Sequence, residues 1–301
     1  MYFTQLPNHN TPGFDVPLHF SNFKKHNIIF NAVSKHSHCD EHVGCLSFKT
    51  VLSGEEWYGV DNRQIAVRPG QFLVLNDEQI YSSRIEQGST TRVLSVFFKT
   101  EFASAVYHDA IVNEEASLDN PFNCGANSPE FFQTLTNVGP ALQQQLMRLV
   151  ACLEDRPSYI AFTDELLVFL LRYIIGTHKA DAARSMQVNA VKPSTKTEIF
   201  KRLCVVKDML HSHYGHSLDL DTVSKAAYLS VPQLIRQFKA AFGTTPHQYL
   251  VNLRLQHAAE QLKLSNTPIQ AIAWQCGFEN ASAFCRKFKE KYGVRAGDVR
   301  G

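Results

Sequence analysis

The sequence has no apolar run that approaches the roughly 20 residues a helix needs to cross a bilayer. Its nearest candidate, from Ile160 to Gly176, contains Asp164, Glu165 and Arg172. The first ten residues have neither the basic start nor the apolar segment of a secretory signal peptide. We therefore expect a cytoplasmic protein that does not bind membranes.

Cysteine is also scarce: seven cysteines are spread over 301 residues, and no two stand in a Cys-x-x-Cys pair. An odd number without paired spacing argues against a disulfide framework and is typical of a reduced compartment. Hydrophobic residues make up 44% of the chain, which excludes a disordered protein. The length indicates two domains of roughly 100 to 200 residues each.

The chain lacks a large surplus of charge of either sign, because its net charge is +2. This average conceals an asymmetry: from Lys196 onward, 15 Lys and Arg stand against 8 Asp and Glu, a balance of +7. Residues 1–195 have a balance of −5. The asymmetry indicates a basic module that binds a polyanion, joined to an acidic module with another task.

Two different hydrophobic periods divide the first part of the chain. Short apolar stretches separated by turn residues run from Ile28 to about Phe102, which predicts an antiparallel barrel or sandwich. From about residue 129 to 178, beginning with Phe131, Leu135 and Val138, apolar residues recur at helical spacing, which predicts two or three packed helices. The polar segment 179–195 is predicted to be the interdomain linker.

The segment after the linker contains an internal repeat. An Arg-x-Phe-Lys-x-x-aromatic-Gly motif occurs at Arg236–Gly243 and again at Arg286–Gly293. A short amphipathic helix is predicted before each copy, at Leu218–Tyr228 and at Pro268–Cys276, and each is followed by a tight turn. Helix, short turn and second helix is the helix-turn-helix arrangement.

The second helix of each unit has a predicted inner and outer face. The inward positions are Leu234, Phe238, Ala241, Phe284, Phe288 and the stem of Lys291. The outward positions are Gln233, Ile235, Arg236, Lys239, Ser282, Cys285, Arg286 and Lys289. Arginine can pair with a guanine edge, glutamine with adenine, and a small apolar side chain with a thymine methyl group, whereas lysine suits phosphates. These faces predict sequence-specific binding to double-stranded DNA.

A helix predicted at His247–Leu264 joins the two units. At about 1.5 Å per residue it spans about 27 Å. Such a strut could hold two recognition helices about one DNA turn apart, roughly 34 Å, so that one chain reads two successive major-groove segments.

Residues 197–300 resemble the DNA-binding domain of the AraC family of bacterial transcription regulators. The resemblance rests on spaced motifs: Ser230-x-x-x-Leu234-x-Arg236-x-Phe238-Lys239, Gly243-x-x-Pro246-x-x-Tyr249-Leu250, Arg254-Leu255-x-x-Ala258, Ile272-Ala273, Gly277-Phe278 and Phe284-x-Arg286-x-Phe288-Lys289-x-x-Tyr292-Gly293. It implies a transcription regulator, more commonly an activator, that works with RNA polymerase. The helical stretches Ala141–Ala151 and Thr163–Ile174 resemble the family's dimerisation region, which implies a homodimer, with packing inside one domain as the alternative.

The resemblance also implies site residues. The family's base-contacting positions fall on Pro232, Ile235, Arg236, Ala281, Ser282, Cys285 and Arg286, and Arg254 matches a position that often meets phosphate. The chain departs from the family after Gly293, where it lacks the usual proline and aromatic residue. Pro232 and Ile235 are also poor hydrogen-bonding residues. The sequence preference of the first helix-turn-helix unit is therefore expected to depend mainly on Arg236 and on DNA shape.

The β-rich part resembles the cupin-like sensor domain of the same family, through Pro69–Leu75. Cupins hold a metal with His-x-His, a carboxylate and a later histidine. His36, His38 and Glu41 stand near the first three positions, but the last falls near Tyr81. A catalytic metal needs three or more protein ligands, so we expect no metal, no cofactor and no catalytic residues.

A barrel of this size can hold one small molecule. The residues expected to bind an effector are His36, His38, Trp57, Tyr58 and Tyr81. Residues 36–45 also combine three histidines with two cysteines. On a regular strand the histidines and the cysteines point to opposite faces, so we expect polar residues at the barrel mouth, with a soft-metal or thiol redox sensor as the alternative.

The sequence thus predicts an α+β protein. Residues 1–178 form a cupin-like antiparallel β-barrel, at about 28–102, with trailing helices at about 129–178. Residues 179–195 are the linker, and residues 196–301 form an all-α domain with two helix-turn-helix units joined by a linker helix. The alternatives are a DNA-binding scaffold without a ligand and an enzyme, either a metal cupin or a repair-type protein, with an accessory DNA-binding module. The repair design needs four clustered cysteines, and Cys39 and Cys45 are the only near pair.

Overall fold

The computed structural model describes residues 1–7, 16–88, 90–111, 130–154 and 160–299. The chain divides into two units, Met1–Ala183 and Arg184–Gly301, and the division falls inside the predicted linker 179–195. Helix continues through Ser185 and resumes at Pro193, so residues 186–192 are the non-helical part of that segment. Residues 129 and 155–159 of the predicted helical region, and Arg300 and Gly301, lie outside the described residues.

The first unit is rich in short strands. Its described strands are β1 (Tyr2–Phe3), β2 (Ile28–Ser34), β3 (Ser37–Val43), β4 (Ser47–Ser53), β5 (Glu56–Val60), β6 (Arg63–Val67), β7 (Gln71–Leu75), β8 (Ile80–Ile85), β9 (Thr91–Phe97) and β10 (Thr136–Asn137). Its described helices are α1 (Val16–Lys25), α2 (Thr100–Ile111), α3 (Pro140–Glu154) and α4 (Ile160–Ser185), whose last two residues belong to the second unit.

The strands form two sheets, one in the order β1-β2-β9-β4-β7-β10 and the other in the order β3-β8-β5-β6. The predicted α+β class with a β-rich first part is confirmed, but the described strands do not close into a barrel, because the two sheets share no hydrogen-bonded ladder. Side chains join the sheets instead: Tyr58 and Ile65 of the smaller sheet belong to the same buried cluster as Leu73 and Leu75 of the larger one.

The larger sheet is a middle layer. Its strands β4 and β7 are buried along nearly their whole length, because their other face packs on helices. Phe48 and Phe72 belong to one buried cluster with Leu146 of α3 and Leu167 of α4. Strands buried on both faces are continuously apolar rather than alternating, as the sequence of β7 is.

Residues 130–139 correct the helix prediction. This segment is extended, and Thr136 of β10 pairs with Phe72 of β7. Asn76 holds Phe131 by two hydrogen bonds, from Nδ2 to the carbonyl at 2.9 Å and from the Phe131 amide to Oδ1 at 2.8 Å. Leu135 is buried in the cluster between the sheets. The three- and four-residue spacing of the apolar side chains here resembles a helix, but sheet pairing decides the conformation.

The second unit is helical in its described part. Its elements are α5 (Pro193–Ser212), α6 (Leu220–Ala226), α7 (Val231–Phe242), α8 (Pro246–Leu264), α9 (Ile269–Gln275), α10 (Ala281–Tyr292) and a 3₁₀ turn (Ala296–Val299). The two predicted helix-turn-helix units are therefore α6–α7 and α9–α10. None of the helices in the described ranges is long and apolar enough to span a membrane.

Both second helices have well-defined ends. Ser230 caps α7 in a capping box with Gln233, and the Asn280 side chain caps α10 by accepting from the amides of Ser282 and Ala283. Each helix ends at a glycine with a left-handed backbone, Gly243 at φ 77° and Gly293 at φ 75°. Caps and a left-handed C-terminal glycine define helix ends from local sequence alone.

Candidate nucleic-acid interface

Helix α7 buries one face and exposes the other. Leu234 and Phe238 are fully buried and Ala241 is 4% exposed. The opposite face carries the predicted DNA contacts: Pro232, Gln233, Arg236 and Lys239 are exposed, and Ile235 is half-buried. The apolar face fixes the helix, so its polar face is turned to solvent in a defined orientation.

Helix α10 repeats this arrangement. Phe284 and Phe288 are fully buried. Ser282, Cys285, Arg286 and Lys289 are exposed and Ala281 is half-buried. Lys291, whose stem was expected to face inward, is exposed, and its Nζ donates to the carbonyl of Asn252 on α8 at 2.8 Å. That bond ties the end of α10 to the helix between the units.

The basic side chains of the two outer faces are not engaged within the protein. The side chains of Arg236, Lys239, Arg286 and Lys289 form no hydrogen bond or ion pair with any residue in the described ranges. Lys287, on another side of α10, is instead paired with Glu290 at 3.2 Å. Two arginines and two lysines at matching places on two helices form a surface suited to a polyanion.

Gln233 is exposed but occupied. Its Oε1 accepts from the amide of Ser230 at 3.2 Å and from the Ser230 hydroxyl at 3.1 Å. Pairing with adenine would need the same oxygen as the acceptor, so reading adenine would cost the helix its cap. Gln233 is therefore a weaker candidate for base contact than Arg236.

Arg254 is placed differently from the other expected contacts. It lies on α8, half-buried, with Nε donating to the carbonyl of Tyr214 and Nη2 to that of His216, both at 2.7 Å. Burial lowers the pKa of its guanidinium. Gly277, in the turn of the second unit, lies against this guanidinium. Arg254 therefore joins α8 to the loop that follows α5, and two of its five N–H donors are already used.

The helix between the two units has the expected length. α8 contains 19 residues, so at about 1.5 Å per residue it spans about 28 Å. It begins one residue before the predicted His247 and ends at the predicted Leu264. Leu262 belongs to one buried cluster with Phe284 and Phe288 of the second helix-turn-helix unit. The Tyr249 ring packs against the Phe238 ring of the first helix-turn-helix unit.

Comparisons with known proteins agree with this geometry. Residues 223–301 match a family model described as a helix-turn-helix domain. The chain is similar to YdeC of Bacillus subtilis, an uncharacterised HTH-type transcriptional regulator, with 19% identity over 81% of this chain and 80% of the relative. It is also similar to the HTH-type transcriptional activator RhaS of Escherichia coli, with 26% identity over 54% of this chain and 56% of RhaS. These similarities support a DNA-binding transcription regulator with a helix-turn-helix domain of the AraC type.

Two solved structures are also similar to this chain. The DNA-binding domain of AdpA, in complex with a target DNA, is 26% identical and covers 32% of this chain and 87% of that one, with a TM-score of 0.31. A variant of ToxT from Vibrio cholerae, without ligand, is 14% identical and covers 90% and 95% of the two chains, with a TM-score of 0.36.

The residues expected to bind an effector do not come together in the regulator's first unit. His36 and His38 are exposed, and the Nε2 of His38 lies 3.0 Å from Oδ1 of Asp40. Trp57 is half-buried, donates from Nε1 to Glu55 at 2.5 Å and lies under the guanidinium of Arg84. Only Tyr58 and Tyr81 are buried.

A bulge in β3 explains this outcome. The register of β3 against β8 shifts between Cys39 and His42, which reverses the alternation that placed His36, His38 and His42 on one face. The His42 ring lies 4.4 Å from the Tyr81 ring, and it lines a cavity together with Cys39. The bulge therefore separates His42 from the two exposed histidines.

That cavity has a volume of about 450 Å³. Of the five expected effector residues, only Tyr81 lines it. Two further polar residues, which the sequence pattern did not predict, line it: Lys49 of β4 and Glu56 of β5, which are 3% and 5% exposed. A lysine inside the apolar strand β4 was the available signal, because charged side chains are seldom fully buried without a partner.

Burial dominates the titration of the groups around this cavity. It lowers the pKa of Lys49 to about 8, and the carboxylate of Glu56 opposes that shift. It raises the pKa of Glu56, against the effects of a hydrogen bond from Tyr58 and the charge of Lys49.

The cysteines near the cavity are affected in the same way. Burial raises the pKa of Cys39 and of Cys45 to about 11. Thiols with a raised pKa are poor nucleophiles, which argues against the redox-sensor alternative. Within the described ranges, no three His, Cys, Asp or Glu side chains are grouped closely enough to hold a metal ion.

Proposed function

We propose that this AraC-type regulator reads operator DNA with the outer faces of α7 and α10, each placed in one of two successive major-groove segments. The observation that carries the proposal is the matched placement of Arg236 with Lys239 and of Arg286 with Lys289. These pairs lie on two capped helices joined by a strut of about 28 Å. Exposed, unpaired arginines on rigid helices are suited to bidentate contacts with guanine.

The side chains on the two outer faces contact different parts of the DNA. Arg236 and Arg286 contact base edges, while Lys239 and Lys289 contact phosphates and add affinity with little sequence preference. Pro232, Ile235, Ala281 and Cys285 are small or apolar and suit thymine methyl groups, and the Ser282 hydroxyl can bond to a base or a phosphate. Arg254 acts mainly by positioning the second helix-turn-helix unit, since its Nε and Nη2 donate to backbone carbonyls.

The first unit is proposed to sense a small-molecule effector in the cavity that Lys49, Glu56 and Tyr81 line. A volume of about 450 Å³ is within the usual range of small-molecule sites. Activation in concert with RNA polymerase, action as a homodimer and a cytoplasmic location complete the proposal. The name of RhaS, a transcriptional activator, supports the direction of regulation.

The test starts from an operator identified by genome-wide mapping of bound DNA, followed by fluorescence anisotropy with the full chain. Arg236→Ala and Arg286→Ala should each weaken operator binding by about 1 to 3 kcal/mol and relax the preference for that sequence. Lys239→Ala should weaken all sequences alike and reduce the slope of log affinity against log salt by about one.

The matched control is Lys287→Ala, which removes the same charge from α10 at a residue paired with Glu290. It should leave the sequence preference unchanged. If both arginine variants bound the operator as tightly as the wild type, the assignment of the reading faces would be wrong.

A further inference from the structure

The cavity of the first unit contains two buried charges of opposite sign. Lys49 comes from the larger sheet and Glu56 from the smaller one, and both line the cavity. Both are buried and they form no direct ion pair with each other, although a buried charge without a partner is costly. A space thus separates an ammonium from a carboxylate inside the protein.

Neither charged group has its full set of hydrogen bonds. The Nζ of Lys49 donates to the Tyr81 hydroxyl at 3.4 Å, its one hydrogen bond to a residue that the structure describes, and lies 3.6 Å from the centre of the Phe97 ring. An ammonium can donate three hydrogen bonds. Oε2 of Glu56 accepts from the Tyr58 hydroxyl at 2.7 Å, whereas Oε1 accepts none from the described part of the chain.

One part of the remaining wall is aromatic, while Lys24, Asp77 and Glu78 also line the cavity. Phe23, Phe30 and Phe97 line it, with the rings of Phe23 and Phe97 4.6 Å apart and those of Phe30 and Phe97 5.7 Å apart. Leu6 lies beside the same aromatic cluster. An occupant would therefore present a polar end to Lys49 and Glu56 and an apolar body to the phenylalanines.

The opposite charges of Lys49 and Glu56 determine which charges the polar end of a ligand should carry. A lone carboxylate would pair with Lys49 but would also face the charge of Glu56, and a lone amine would face Lys49 in the same way. An unpaired or opposed charge in a buried site is costly. A ligand that carries both charges can pair with both groups and adds no net charge to them.

We propose that the cavity binds a small zwitterion of the α-amino acid type with an apolar side chain. Its carboxylate pairs with Lys49, its ammonium pairs with Glu56, and its side chain packs on Phe23, Phe30 and Phe97. This inference rests on the proposed sensor function of the first unit and names the chemical class of the effector.

The test measures calorimetric affinities of the full chain for three probes that share one ring: L-phenylalanine, 3-phenylpropionate and 2-phenylethylamine. L-phenylalanine should bind at least ten times more tightly than either singly charged probe. L-alanine should bind more weakly than L-phenylalanine, because it leaves the aromatic wall uncovered.

Two variants should change which of the three probes binds most tightly, rather than only weaken binding. Glu56→Gln keeps a side chain of the same shape that can accept from Tyr58, and it should shift the ranking from L-phenylalanine toward 3-phenylpropionate. Lys49→Met should shift it toward 2-phenylethylamine. Lys25→Met, at an exposed position that does not line the cavity, is the control and should keep the wild-type ranking. Thermal unfolding of each variant confirms that it folds.

Equal or tighter binding of 3-phenylpropionate by the wild type would overturn the inference, as would unchanged L-phenylalanine binding in both cavity variants. If neutral sugars bind the cavity and the amino acids do not, the ligand class is wrong and the sensor function stands. If no probe, sugar or metabolite binds or shifts the melting temperature, the sensor function itself fails, while DNA binding is measured separately.

Discussion

Gln237 and Asn189 hold each other by two hydrogen bonds. Nε2 of Gln237 donates to the carbonyl of Asn189, and the amide of Asn189 donates to Oε1 of Gln237, both at 2.9 Å. Gln237 lies on α7 and is 4% exposed, and Val188, next to Asn189, is fully buried at 1%. The pair therefore ties the non-helical segment 186–192 to the buried side of α7.

Replacing Gln237 by leucine should release this segment. Both hydrogen bonds are lost, and we expect the free energy of unfolding to fall by about 1 to 2 kcal/mol, since each net hydrogen bond contributes about 1 kcal/mol. Hydrogen exchange at the Asn189 amide should accelerate because that amide then faces water. Urea unfolding and exchange measured by mass spectrometry check the two effects.

Gln187→Leu is the matched control for this variant. Gln187 is an exposed glutamine in the same segment, and its substitution should change neither quantity. Unaltered exchange at Asn189 in Gln237→Leu would show that the two hydrogen bonds do not hold the segment.

Gly277 has two reasons to be glycine. Its φ is +80°, and a Cβ there would lie 2.8 Å from the carbonyl oxygen of Tyr214 and 2.9 Å from the guanidinium of Arg254. Gly277→Ala should destabilise the second unit by about 2 to 4 kcal/mol, which combines left-handed strain with displacement of Arg254. Thermal or urea unfolding measures this loss.

Gly243→Ala separates the two causes. Gly243 also has a φ of +77°, but no atom lies within 4 Å of the Cβ position. Its alanine variant should show the backbone strain alone, about 1 kcal/mol. Equal losses at the two positions would mean that the contact with Arg254 contributes nothing.

The stability of the first unit should depend on pH through Lys49. Burial lowers the pKa of this amine to about 8 from its ordinary value of 10.5. Between these values the unfolded chain binds more protons than the folded one, so the contribution of Lys49 to the free energy of unfolding rises with pH above about 8. Relative to Lys49→Met, the wild type should gain about 1 kcal/mol from pH 8 to pH 9.

Urea unfolding at several pH values, with both proteins measured side by side, checks this prediction. The comparison is needed because other groups face Lys49. Burial also raises the pKa values of Glu56, Cys39, Cys45 and Tyr81, and these groups contribute shifts of the opposite sign. A difference between the two proteins that stays constant with pH would contradict the assignment.

The second unit shows how far sequence reasoning reaches in this chain. The buried positions Leu234, Phe238, Phe284 and Phe288 were predicted from spacing alone, and the structure confirms them. Helical periodicity and caps involve residues three or four positions apart, so the necessary information is local. The hydrogen bonds of Arg254 could not be predicted in this way, because its partners lie about 40 residues away in sequence.

Residues 1–183 show which features a local sequence pattern cannot predict. Residues 130–139 have the apolar spacing of a helix, yet pairing with β7 makes them extended. The bulge between Cys39 and His42 is invisible to strict alternation, and it decides which histidine lines the cavity. Sheet register depends on distant strands, so no local pattern specifies it.

The sequence by itself therefore determined the tandem helix-turn-helix units, their buried and exposed faces and the basic charge of that part of the chain, because each depends on neighbouring residues or on simple counting. Only the tertiary structure decided that Lys49 and Glu56 face one cavity, since they lie on different sheets. It alone also decided that Arg254 is held by backbone carbonyls. The physical reason is the same in both cases: contacts between elements distant in sequence follow from how layers pack, and packing is a property of the whole fold.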